Sequence, residues 1–213
     1  MASRNYLVML ADMSLSDRKR YRTTALAAGL ERCLNAQIGD INADVPGLQA
    51  IPAANKTARV AHIRSFIETG EFPETIDQRE LAPLTDLVVA AAQDSWLTAA
   101  LAVVGTAYTC LNAVAAPQMG LGRLMVCYGV SVESAVVPMP VSRLTFTRGV
   151  NIQAQFDMEP MGVRLEPDAF FSEPVIVDPN EIFAITALCR AIAVATRLHV
   201  HNFLFEGQGQ TIA

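Results

Sequence analysis

Asn151-Ile152-Gln153-Ala154-Gln155-Phe156-Asp157-Met158-Glu159 decides how the chain is read. Ile152, Ala154, Phe156 and Met158 fall on one face and Gln153, Gln155, Asp157 and Glu159 on the other, the two-residue period of a strand with one side buried. Working outward, Val141 to Gly207 holds further short apolar or alternating runs: Ser142–Thr147, Gly162–Leu165, Pro174–Val177, Glu181–Leu188 and Ala191–Phe205. Arg148-Gly149, Pro160, Pro167-Asp168 and Asp178-Pro179-Asn180 separate them. Short strands punctuated by turn residues predict an all-β sandwich or barrel. Upstream, Leu124, Val126, Tyr128, Val130 and Val132 alternate with Met125, Cys127, Gly129 and Ser131, which predicts one more strand ending at Glu133-Ser134. Pro138 and Pro140 exclude a central strand over Val136–Val141 and mark a crossing or an edge.

The first eighty residues follow the helical period instead. Ser14 and Asp17 have the spacing of a capping box, with Asp in place of Glu. Behind them Leu26, Leu30, Cys33 and Leu34 form one stripe, predicting an amphipathic helix from Leu15 to Gln37 closed by Gly39-Asp40. Pro46, Gly47 and Pro52 describe an extended loop from Asn42 to Asn55. A second helix is expected over Thr57–Thr69, with Val60, Ile63 and Ile67 inward and Gly70 as its stop. Glu71–Pro83 reads as an acidic loop with room for one short helical turn, and Leu84–Ala92 as helix or strand, its alanine content favouring helix. The fold class expected is therefore mainly β with a helical N-terminal region. Residues 1–93 are expected to form the helical part and residues 94–213 an antiparallel β-sandwich.

Composition narrows the function classes. With 213 residues, 52% hydrophobic and 17% charged, the chain can bury a large core and is too apolar for disorder. A net charge of -5 argues against a protein whose whole surface grips nucleic acid. Cys33, Cys110, Cys127 and Cys189 lie far apart without CxxC spacing, so buried reduced thiols are expected rather than a disulfide framework or zinc ribbon. Tyr6–Leu10 is shorter than a signal peptide needs, and synthesis in the cytoplasm is expected. Ser95–Ala116 carries no charge and is long enough to cross a bilayer. It also holds Thr98, Thr106, Thr109, Asn112 and a central Gly105, with no flanking lysine or arginine close by, so a buried strand pair bent at Gly105 or a buried helix is the expectation.

Candidate chemistry is sparse. His199 and His201 stand two apart in Arg197-Leu198-His199-Val200-His201, on one face of a predicted strand, and such a pair can supply two metal ligands. A third ligand is not evident, because His62 is the one other histidine and lies in a predicted helix. Phe203 and Phe205 share the pair's parity, which suits a contact-making apolar face. Asp157, Glu159, Glu166 and Asp168 cluster in sequence near strand ends, where carboxylates bind calcium or act as acid and base, but Pro160 and Pro167 place them on loop rims. Arg18, Lys19, Arg20 and Arg22 form the one dense basic run, and Arg18, Lys19 and Arg22 share a helix side that could touch phosphates weakly. Met119-Gly120-Leu121-Gly122-Arg123 lacks the third glycine of a dinucleotide fingerprint and reads as a turn. No GxSxG, Walker or HExxH pattern occurs. No enzyme and no cofactor is expected.

The order of features in the second half is similar to single jelly-roll structural proteins of bacteriophage particles. The residues that carry the resemblance are Pro138–Phe146, the alternating Ile152–Met158 strand, Phe170–Val177 and the closing Leu198–Phe205 strand ending at Glu206-Gly207. It spans roughly residues 95–207, and it implies two facing sheets of eight strands. It further implies a self-assembling capsid or other virion component with homo-oligomeric and other virion partners. Apolar contact surface, eight methionines and the absence of a cofactor motif fit that reading. Tyr6–Leu10 and the tail Gln208–Ala213 are segments that could pair with neighbouring subunits. Two rivals are a calcium-dependent carbohydrate- or ligand-binding sandwich using the loop acids, and a cupin-like metalloenzyme using the HxH pair. The latter family's further glutamate and histidine ligands are not found at their spacings.

Overall fold

A computed structural model describes residues 5–43, 53–71, 76–80, 96–97, 99–112, 123–135, 139–165, 167–179, 181–193 and 195–207. Among these, nine strands form two antiparallel sheets packed as a β-sandwich. The five-stranded sheet has the order β1 (Leu7–Met9), β7 (Asp168–Val177), β4 (Arg123–Glu133), β9 (Arg197–Gly207), β2 (Ile76–Arg79). The four-stranded sheet runs β3 (Ala107–Asn112), β8 (Phe183–Cys189), β5 (Val141–Arg148), β6 (Asn151–Asp157). From β2 onward the pairing is nested: β2 with β9, β3 with β8, β4 with β7, and β5 with β6. A hairpin rolled up so that its outermost strands meet gives this jelly-roll order. The sandwich expected from the Ile152–Met158 period is the one observed, with Ala154, Phe156 and Met158 buried as expected and Ile152 exposed instead.

Between the sheets lies an aromatic centre. Phe156 stacks on Phe171 with ring centroids 4.1 Å apart, and Phe146 meets both edge-on. Met125, Val130, Leu144, Ile185, Val200 and Leu204 complete it, with the thiols of Cys110, Cys127 and Cys189 among them. Burial pushes the Cys110 thiol up to about 12, so these cysteines are inert packing groups. Asn202 is buried with its side-chain amide donating to the Val200 carbonyl at 2.9 Å.

The outer face of the five-stranded sheet carries a second core under helix α1 (Leu15–Ala43). Ser14 caps that helix as its spacing predicts: its Oγ accepts the Asp17 amide at 3.1 Å and donates to the Asp17 carboxylate at 2.7 Å. The helix passes through Gly39-Asp40 rather than ending there. Its buried stripe of Leu30 and Leu34 continues to Ile41, so packing outweighs the weak propensity of one glycine. Helix α2 (Ala53–Thr69) begins four residues earlier than expected and adds Ile63 to the same core.

Several expectations change. The boundary at residue 93 does not separate helices from sheet, because β1 and β2 precede it and both pair into the five-stranded sheet. Tyr6–Leu10 is accordingly used within the chain: Leu7–Met9 pairs with β7. The expected loop Glu71–Pro83 contains β2. Gly162–Leu165 is not a strand but part of a short helix α3 (Glu159–Arg164), whose first turn accommodates Pro160. β4 does not keep one alternation throughout. A bulge between Cys127 and Gly129 turns Val130 and Val132 to the sandwich interior, whereas Leu124, Val126 and Tyr128 face the helices. In Ser95–Ala116, Leu101 forms a bridge to Ala193, Gly105 adopts φ +79°, and Ala107–Asn112 is β3. No helix among the described residues is long and apolar enough to cross a membrane. Leu84–Ala92, Met119–Gly122, most of the expected Asn42–Asn55 loop, Glu166 and Gln208–Ala213 lie outside the described residues.

Candidate functional site

β9 leaves the α1 core at Phe203 and carries the same face onward to His201 and His199, half-buried beside the helix. Register places Ser131 of β4 opposite His199 and Gly129 opposite His201. A glycine is needed there: a Cβ on Gly129 would stand 2.7 Å from the Ala169 carbonyl oxygen and 3.2 Å from the His201 ring. The bulge in β4 turns Ser131 to the outer face, next to Asp168 at the start of β7. The Ser131 hydroxyl donates to the Asp168 carboxylate and lies 2.6 Å from His201 Nε2, which is therefore the donor to Ser131 Oγ in this arrangement. Serine occupies the middle of this chain, with its proton committed to the acid. It is not under a base, as a nucleophilic serine must be.

Glu80, one residue past β2, completes the group. Its carboxylate is 2.8 Å from His199 Nε2. Glu80, His199 and His201 each present one ligand atom, all within 4.8 Å of one another. The hydrogen bond from His199 holds the Glu80 carboxyl below the usual carboxylate range. Burial holds His201 below the usual imidazole range, with His199 and Arg22 acting in the same direction and Asp168 and Glu80 against it. Around the group stand Trp96, edge-on to His199 at 6.4 Å, and Tyr128, stacked near His201 at 5.8 Å. The Arg22 guanidinium sits over the Tyr128 ring.

No family model, curated protein or solved structure matches the chain.

Of the residues singled out in the sequence, His199 and His201 are brought together with a third ligand atom. His62 is elsewhere, against Phe66 on α2. The loop acids do not converge: Asp157 Oδ1 accepts the Glu159 amide at 3.0 Å, Glu159 pairs with Arg190, and Asp168 belongs to the histidine group. The basic run is divided as well. Arg18 donates to the Leu10 and Met13 carbonyls, Arg20 pairs with Asp17, Arg22 covers Tyr128, and Lys19 is exposed. Glu80 and Ser131 carried no signal in the sequence. Glu80 is 119 residues from His199, and only the β2–β9 register brings them together.

The two ends of the four-stranded sheet share a different feature. Where β5 ends and β6 and β8 begin, Val150, Ile152 and Ile182 are exposed, and the Gly149 amide bonded to the Ile182 carbonyl holds them together. At the opposite end Val103, Val104, Val163, Leu165 and Ile192 are exposed. Each end also carries an ion pair, Arg148–Glu181 at the first and Arg190–Glu159 at the second.

Proposed function

We propose that this chain is a self-assembling structural protein of a virion, a capsid or other particle component made in the host cytoplasm, which acts through subunit–subunit contacts and not as an enzyme. The observation that carries the reading is the exposed apolar side chains at both ends of a sandwich whose interior is already filled by aromatic and aliphatic groups. A monomer gains nothing from such ends, and apolar centres bordered by charged pairs are what subunit interfaces use. The nested strand order supports it, being that of the single jelly-roll particle proteins which the sequence resembles.

The rival readings fit less well. A cupin-like enzyme would hold its metal inside the barrel, whereas His199 and His201 stand on the outer face and the interior cluster is apolar. A calcium-dependent binding sandwich would gather the loop acids, and Asp157 and Glu159 have separate partners. The test is the mass of the purified protein across concentration and salt, with negative-stain images of the same samples. Rings, sheets, shells or discrete cyclic oligomers are expected; a monomer at every concentration overturns the reading.

A further inference from the structure

The Glu80, His199 and His201 group has no part in the assembly reading, and its composition asks for an occupant of its own. From the geometry we infer that Glu80, His199 and His201 bind one divalent first-row transition ion of the zinc type, which fastens β2 to β9 across the outer face of the five-stranded sheet. Two imidazoles and one carboxylate are borderline ligands that suit zinc and its neighbours, while magnesium and calcium prefer all-oxygen sets. In a tetrahedral site with bonds of about 2.0–2.2 Å, ligand atoms lie roughly 3.3 Å apart. The observed spread of up to 4.8 Å closes with small side-chain rotations, and the 2.8 Å contact between Glu80 and His199 is already tighter than the ion would need.

The surroundings fit a cation. Asp168 Oδ1 stands 3.9 Å from His201 Nε2, so Glu80, Asp168 and Arg22 together leave one net negative charge at the group. Backbone pairing fixes the two histidines on one strand face, so the ligands are largely in place before the ion arrives, and an ion taken by the ring nitrogens that now bond Ser131 and Glu80 displaces their protons. Three protein ligands leave a further coordination position for water or for a group from a neighbour.

The consequence lies in the fold. β2 is an edge strand paired over four residues, Ile76 to Arg79, and an ion held by Glu80 extends its attachment to β9 past the last of them. This does not depend on assembly. The experiment is a titration of the full chain with Zn2+, and with Co2+ for its visible spectrum, followed by thermal unfolding with and without one equivalent. Wild type is expected to bind one ion per chain, with a higher Tm and a Co2+ spectrum of nitrogen and oxygen ligands. Glu80→Gln and His199→Ala are each expected to weaken binding on the order of a hundredfold and to remove the Tm rise. Glu80 and His199 reach the surface, so both variants are expected to keep the wild-type circular dichroism, and His62→Ala should bind as wild type. Absence of saturable Zn2+ binding by wild type overturns the proposal. So does binding that survives both ligand variants, or preference for Ca2+ over Zn2+.

Discussion

Leu165 is a leucine where the backbone asks for glycine. It closes α3 in the left-handed region at φ 55°, the one non-glycine residue at positive φ among the described residues, and it is 70% exposed. A Cβ in that region costs roughly 1–2 kcal/mol, part of which a glycine returns as extra freedom in the unfolded chain. Leu165→Gly is therefore expected to stabilise the isolated subunit by about 0.5–1 kcal/mol, a rise in Tm of roughly 2 °C, read by calorimetry at a concentration where the protein is monomeric. If Leu165 belongs to a subunit contact, the same change weakens assembly while it strengthens the fold. A fall in the monomer's Tm would mean that the side chain packs within its own chain after all.

At the scale of elements, two glycines of α1 make opposite predictions. A Cβ on Gly29 would lie 2.4 Å from Phe205 Cε2 and 2.6 Å from Val126 Cγ2, both in the buried core, so the helix sits against the sheet at this residue. Gly29→Ala is expected to cost about 1–3 kcal/mol by forcing the helix away, more than the helix propensity of alanine returns. A Cβ on Gly39 meets nothing within 4 Å, and Gly39→Ala is expected to gain up to about 1 kcal/mol. Urea unfolding midpoints of the two variants check both signs together, and a loss at both positions would place Gly39 at the end of the helix, as its sequence suggests. The two glycines also show where the sequence was legible. The capping residues and the Leu30–Leu34 stripe announced α1, and the period of Ile152–Met158 announced the sandwich, because each signal is local. Gly39 misleads because Ile41, buried in the core under the helix, keeps the helix going. β2 was not legible because its four residues, Ile-Asp-Gln-Arg, carry one buried apolar side chain and are held by pairing with a strand some 120 residues later. The bulge in β4 broke an alternation that the sequence alone continues. The HxH pair could be read from parity, whereas Glu80 could not, since its place depends on that same unread register.

For the whole molecule, the exposed large apolar residues among those described, Tyr6 and Leu15 apart, divide into two unlike sets. Val150, 97% exposed, stands with Ile152 and Ile182 at one end of the sandwich, and Val163 and Ile192 stand with Val103 and Val104 at the other. Unlike surfaces at opposite ends suit head-to-tail contacts, which close into rings when the rotation between subunits permits and otherwise propagate. An aspartate in the centre of either surface would have to be buried unpaired, at a cost of several kcal/mol per contact. Val150→Asp and Ile192→Asp are therefore each expected to be monomeric, with unchanged circular dichroism because both positions are exposed in the subunit. The informative sample is their mixture. Each variant retains the surface that the other has lost, so one contact can form and then nothing further, and sedimentation should show a dimer containing one chain of each kind. If each surface instead pairs with its own kind, Val150→Asp alone would still dimerise through the opposite end. The mixture would then contain only like-with-like dimers, which mass spectrometry of one isotopically labelled variant separates from the mixed dimer.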